Sequence, residues 1–218
     1  KIVGSSDVYK RQILHDDTLN EINKNKLSFI ADNSGNDIEF HHFNSDVFGT
    51  FADSMNRFAI GTMFRIMLPD IMPDLKKIIY LDSDLFVNTD IEELWNLNID
   101  NYCLAAAQDC STIRNWGTPY AVAAGQTSRD RYFNAGVLCM NLDNIRKNGS
   151  LFQQVMDYVS DNPRTWLPDQ DALNAIFSEK TLMVDEKWNY FIDEARKNNE
   201  KAEKKIYHYA ATLLMLHT

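Results

Sequence analysis

The chain has 218 residues, 44% hydrophobic and 24% charged, with a formal net charge of −9. That is enough apolar material for one sizeable core, and the acid excess without a basic stripe excludes a nucleic-acid binder. Cys103, Cys110 and Cys139 are odd in number and lack metal-ligand spacing, which reads as buried free thiols in a reducing compartment.

No apolar run reaches the ~18 residues of a membrane span, and residues 1–15 lack the apolar segment of a signal peptide. Ile2-Val3 opens a short strand that Gly4-Ser5-Ser6-Asp7 breaks. Thr18 to Phe29 reads as an amphipathic helix, with Leu19, Ile22, Leu27 and Ile30 near helical spacing. Asp37 to His41 alternates as a strand does. Phe51 to Met67 is predicted as a helix ended by Pro69, with Met55, Phe58, Ala59, Thr62, Met63 and Ile66 on one face.

Lys77 to Asp82 is predicted as a central strand, apolar on both faces as a helix-covered sheet requires. At its end stands Asp82-Ser83-Asp84, followed by Leu85-Phe86-Val87. Residues i and i+2 of a strand point the same way, so both carboxylates can face one ion. A buried carboxylate pair needs a cation, and a divalent metal at a strand end points to phosphate chemistry. A calcium loop counted from Asp82 finds Asp84, Asn88, Asp90 and Glu93 at ligand positions. It has Phe86 and Val87 where a ligand and the obligatory Gly belong, and a β-type run before it.

Asp90 is expected to cap a short helix Ile91–Trp95. Tyr102 to Gln108 reads as a buried strand ending in Asp109, and residues 111–131 as a loop or lid. Phe133 to Leu142 is a further strand, Ser150 to Ser160 and Asp169 to Phe177 are helices, and Asp193 to Lys205 is a solvated helix. Alternating strands and helices predict an α/β fold with a mostly parallel sheet.

Taken in order, several of these pieces resemble glycosyltransferase family 8, which holds bacterial lipopolysaccharide glucosyl- and galactosyltransferases and is related to glycogenin. They are Phe64-Arg65-Ile66 with Leu68-Pro69, Lys77 to Asp84, and Asp90 to Trp95. Tyr132 to Val137, Pro168 to Asn174 and Tyr207 to Ala210 complete the set. The similarity covers residues 37–210.

The resemblance implies a nucleotide-binding GT-A fold, a mixed, mostly parallel sheet flanked by helices. It implies a retaining transfer of glucose or galactose from UDP-glucose or UDP-galactose, with Mn²⁺ or else Mg²⁺, to a glycan such as lipopolysaccharide. A cytoplasmic location at the inner face of the membrane is the family expectation.

By the same resemblance Asp82, Asp84 and His208 are metal ligands, Asp82 lying also near the ribose. Arg65 and Asp109 contact the donor, and Asn134 and Ala135 lie beside its sugar. Asp169 and Gln170 border the reactive carbon and are the catalytic candidates. Asp7 belongs to a segment that holds the uracil. Several have a structural alternative: a capped turn at Asp82 and Asp84, a packed His208, a surface Arg65, a helix or turn cap at Asp109, a helix N-cap at Asp169.

The chain also departs from the family pattern. Ile13-Leu14-His15-Asp16 comes directly after the uracil segment, where a helix and a strand should intervene. After His208 the run Tyr209 to Leu216 lacks the family's Gly and Lys. We therefore expect one domain over residues 1–218, with 1–12 non-native, 13–210 family-like and 211–218 divergent, truncated at both ends and missing part of the N-terminal β-α unit. The gap should expose apolar surface. The alternative functions are a UDP- and metal-binding remnant without transfer, a glycoside hydrolase with paired carboxylates, and an interaction protein with no ligand.

Overall fold

The structure, a computed structural model, describes residues 11–44, 57–110, 112, 117–198 and 203–210. The expected Ile2-Val3 strand, Asp7, the first turn of the Phe51 helix and residues 211–218 lie outside the described residues. The chain divides into two compact units, residues 1–64 and 65–218.

In the first unit, β1 (Arg11–His15) pairs in parallel with β2 (Ile38–His42), Arg11 opposite Ile38 and His15 opposite His42. The connecting helix is Glu21–Asn33, a shift from the expected Thr18–Phe29. Asn20 decides its start, accepting the Asn23 N–H at 3.0 Å. Gly35, at φ 66°, ends it, and the Asn36 N–H turns back to the Ala31 carbonyl. The segment is helical, but Ala31 is its buried residue, while Ile22, Phe29 and Ile30 are more than half exposed.

The helix expected to stop at Pro69 spans Arg57–Ile71. Pro69 lies inside the last turn of this helix, two residues before its end. Its carbonyl accepts Arg146 Nε at 2.9 Å.

The second unit holds a sheet of order β3-β6-β5-β7, formed by Lys77–Leu81, Val137–Asn141, Leu104–Ala107 and Thr181–Val184. Strand β6 is antiparallel to both neighbours, and β5 is parallel to β7. Parallel pairing is therefore a smaller share than expected. Strand β3 is not central: it has a partner on one side only among the described residues, and its residues are half-buried. The buried centre is β5, whose Leu104 and three alanines let neighbouring layers approach closely.

A second sheet, β4-β9-β8, is formed by Leu85–Val87, Ile206–His208 and Tyr190–Phe191. The antiparallel register of β4 and β9 sets Leu85 opposite His208 and returns the end of the described chain to the strand after Asp84. Leu94, Ile99, Ala105, Val137, Cys139, Trp188 and Ile206 form one buried cluster against which Leu81 and Leu85 pack. Burial of each large side chain there contributes about 1.5–3 kcal/mol, and it holds the two sheets' strand ends in place.

Helix Leu151–Asp161 buries Leu151, Val155 and Val159 at helical spacing and starts at Ser150, which accepts the Gln153 N–H. Helix Pro168–Phe177 has Pro168 in its first turn and Leu167 at the cap, so Asp169 is not the N-cap. Proline's missing N–H and fixed φ suit that first turn, which moves Asp169 inside the helix.

The stretch read as a loop contains helix Tyr120–Ala123 and a turn of 3₁₀ helix at Arg129–Arg131. The polar run expected as one helix to Lys205 is helical only over Ile192–Lys197 among the described residues, and Lys205 leads into β9. Cys103 and Cys139 are buried free thiols, whereas Cys110 is half-buried. Burial pushes the Cys139 thiol up to about 11, which leaves it unreactive. Among the described residues, no helix is long and apolar enough to cross a membrane.

Candidate active site

Asp82 leaves β3 with its N–H bonded to the Gly136 carbonyl at 2.8 Å, so the strand pairing carries on to the aspartate itself. Asp84 lies two residues further, in the turn, and its carbonyl accepts the Tyr209 N–H at 3.0 Å. These two bonds hold the turn from the end of β3 to the start of β4 and bring His208 against the aspartates. His208 Nε2 is 3.3 Å from Asp84 Oδ1 and 4.0 Å from Asp82 Oδ2. One donor atom from each residue falls within 4.8 Å of the others, a spacing at which a single cation can be shared.

The site needs a glycine at 136. A Cβ there would stand 2.9 Å from His208 Nδ1, 3.0 Å from Asn134 Oδ1 and overlap the His208 ring. His208 also stacks on Phe191, ring centroids 5.4 Å apart.

Arg65 is 2% exposed, which rules out the surface alternative. Its Nη2 donates to Asp82 Oδ1 at 2.9 Å, its Nε lies 3.4 Å from Asp169 Oδ2, and its Nη1 donates to the Ala135 carbonyl. The guanidinium also sits 4.7 Å above the Tyr80 ring, whose hydroxyl donates to Asp82 Oδ1 at 2.7 Å. Burial holds the Asp82 carboxyl above the usual range, outweighing Arg65, Tyr80 and His208. Asp84 goes the other way: burial raises it, but the hydrogen bond and charge of His208 bring it down overall.

Behind this charged group lies a chain of buried polar side chains. Asp109 Oδ2 accepts from Asn134 Nδ2 at 3.1 Å and Gln170 Nε2 at 2.8 Å, and its Oδ1 accepts the Thr112 N–H at 2.8 Å. Asp109 is thus both a turn cap and a member of the cluster. Gln170 Oε1 accepts the Ala135 N–H at 3.0 Å, and Gln170 Nε2 reaches Tyr132 Oη at 3.1 Å. Tyr132 Oη donates to Asp171 Oδ1, which also takes the Ala121 N–H, while Thr165 donates to Asp171 Oδ2. Asn174 clips Phe133 on both its N–H and carbonyl at 2.8 Å.

Nine of the candidate residues therefore meet in one connected site: Arg65, Asp82, Asp84, Asp109, Asn134, Ala135, Asp169, Gln170 and His208. Asp7 lies outside the described residues. Sequence reading passed over Tyr80, Asp171 and Asn189. Tyr80 stands two residues before Asp82 and Asp171 directly after Gln170, so closeness in sequence to candidate residues was the available signal. Asn189 follows Trp188 and had no such neighbour. Its Oδ1 lies 2.8 Å from His208 Nδ1, and its Nδ2 donates to Asn134 Oδ1 at 2.7 Å.

Mixed sheets flanked by helices, with an acidic pair closed by a distant imidazole, are the arrangement of a GT-A fold. The structure of the galactosyltransferase LgtC in complex with donor and acceptor sugar analogues is similar at a TM-score of 0.76 and 20% identity, covering 93% of this chain and 87% of that one. The chain matches the profile of Glycosyl transferase family 8 over residues 4–213, and it belongs to that family.

Among curated relatives, General stress protein A of Bacillus subtilis is 28% identical over 172 residues, 77% of this chain and 58% of that protein. Lipopolysaccharide 1,3-galactosyltransferase of Salmonella typhimurium is 27% identical over 168 residues, 72% of this chain and 49% of that protein. The chain thus spans about half the length of these relatives.

Proposed function

We propose that this chain is a metal-dependent, retaining hexosyltransferase that moves glucose or galactose from a UDP-sugar to a glycan acceptor such as lipopolysaccharide. The observation that carries the reading is the meeting of Asp82, Asp84 and His208 at a single point beside buried amides. Two carboxylates and an imidazole suit Mn²⁺, with Mg²⁺ the poorer match for the nitrogen. A divalent ion held by Asp82, Asp84 and His208 would offset the charge that develops on the departing diphosphate.

The chain's own residues supply orientation. Arg65 holds Asp82 and Asp169 on the donor side. Asp109, Asn134 and Gln170 present acceptors and amide donors to sugar hydroxyls, and the small Ala135 leaves room for the ring. Asp7 is assigned to the uracil end.

Gln170 is a poor nucleophile, because its amide is neutral and its oxygen already takes the Ala135 N–H. Asp169 is paired with Arg65, which lowers its reactivity. Both features favour front-face attack, with the acceptor oxygen arriving on the side the leaving group departs from. The compartment we assign is the cytoplasm, at the inner face of the membrane.

Release of UDP from UDP-galactose or UDP-glucose, with and without Mn²⁺, tests the reading; full activity in Asp84→Ala would defeat it. A second reading, binding of UDP and metal without transfer, is favoured by the run Tyr209 to Leu216, which lacks the family's Gly. Calorimetric titration with UDP and Mn²⁺ beside a transfer assay separates the two: heat without product supports the second.

A further inference from the structure

We infer that Asn189 is a positioning residue for His208, holding the imidazole in the one tautomer that turns a free Nε2 toward Asp82 and Asp84. The inference rests on the metal reading of that site.

The hydrogen-bond directions follow from a group whose role is not in question. The Gly136 backbone N–H can only donate, and it points at Asn134 Oδ1 from 2.8 Å. That atom must therefore be the amide oxygen. The other face of Asn134 agrees: its Nδ2 meets the acceptor Asp109 Oδ2. Asn134 Oδ1 also lies 2.7 Å from Asn189, so the Asn189 atom facing it is the NH₂ group. The remaining amide atom of Asn189, 2.8 Å from His208 Nδ1, is then an oxygen. An oxygen there accepts, so Nδ1 carries the hydrogen, and neutral His208 has its lone pair on Nε2.

Without a cation, Asp84 Oδ1 at 3.3 Å from Nε2 draws a hydrogen to that nitrogen as well; with a cation on Nε2, Asn189 is the described partner that keeps the hydrogen on Nδ1. Stacking on Phe191 fixes the ring's plane, and Gly136 permits its approach, but neither distinguishes the two nitrogens. Asn189 is 2% exposed and His208 4%, so water does not substitute readily. Partners of this kind on the far nitrogen of a metal-binding histidine commonly carry a 10–100-fold share of metal affinity. Asn189 also links the ligand set to Asn134, so the ion and the sugar-facing amides share one support.

The test is Mn²⁺ titration of the full chain, followed by the electron paramagnetic resonance signal of free Mn²⁺. It compares the unaltered protein, Asn189→Ala, His208→Ala and the double variant. We expect Asn189→Ala to weaken Mn²⁺ binding about 10–100-fold. The double variant should bind no more weakly than His208→Ala alone, because one residue acts through the other. Wild-type affinity in Asn189→Ala, or penalties that multiply in the double variant, would overturn the inference.

Should Asn189→Ala not fold, Asn189→Asp keeps an acceptor beside Nδ1 and is expected to retain most of the affinity. A loss as large as that of His208→Ala would count against us. If the unaltered protein does not bind Mn²⁺, or His208→Ala binds it equally well, the site reading fails and this inference with it. If the unaltered protein binds Mn²⁺ and His208→Ala weakens that binding while Asn189→Ala leaves it unchanged, this inference fails alone.

Discussion

Two adjoining parts of the site are held by opposite means. The Asp82–Asp84–His208 group is partly open to solvent and built from charge, with two carboxylates crowded around one imidazole. The Asp109–Asn134–Gln170–Tyr132–Asp171 chain is buried and built from directed hydrogen bonds. Crowded charge leaves a place for a cation and adds little to folding. A satisfied buried network adds rigidity and tolerates little change. Substitutions should therefore separate function from stability along this line.

The largest expected effect lies on the charged side. Asp84→Ala should lower Mn²⁺-dependent sugar transfer on the order of a thousandfold, with the metal-free melting temperature nearly unchanged. A matching fall in melting temperature would erase the contrast between the two parts.

Next comes the buried side. Asp171→Ala strands the Ala121 N–H, the Tyr132 hydroxyl and the Thr165 hydroxyl. It should cost about 3 kcal/mol of unfolding free energy in a urea titration. Mn²⁺ affinity of the folded fraction should survive. At the junction of the two parts, Gly136→Ala pushes a methyl group into the His208 ring. A cost of about 1–3 kcal/mol is expected, together with loss of the Mn²⁺-induced rise in melting temperature.

The smallest effect is a pH dependence. Burial pushes the Asp171 carboxyl up, by more than its hydrogen-bond donors Thr165, Ala121 and Tyr132 pull it down. With a folded value above the ordinary 3.8, the folded protein holds the extra proton between the two values. Stability from this group is full below 3.8 and is lost as pH rises through the folded value. Asp171→Asn can keep its three contacts through one oxygen and one NH₂ group. Metal-free unfolding free energies measured from acid to neutral pH should fall less steeply in this variant than in the wild type. An unchanged slope would show that Asp171 does not titrate in this way.

The helices show where periodicity is sufficient and where it is not. Leu151, Val155 and Val159 share a face and are buried, as spacing alone predicts. Ile22, Phe29 and Ile30 follow a similar rule and are exposed. Periodicity states which residues lie together, while burial depends on what is set against them. The same limit explains Asp169. Carboxylates suit caps, but Pro168 took the start of that helix and placed the aspartate inside, opposite Arg65.

Local order in the chain was enough to mark Asp82 and Asp84 as a pair, but the turn between β3 and β4, and not one strand, holds both carboxylates. The family pattern marked the remaining candidates one position at a time. Which strand lies at the edge, and that β9 returns beside β4 to set His208 against the aspartates, came only with the pairing of distant strands. Asn189 belongs wholly to that second level. An asparagine after a tryptophan has no chemistry of its own until folding buries it between an imidazole and another amide.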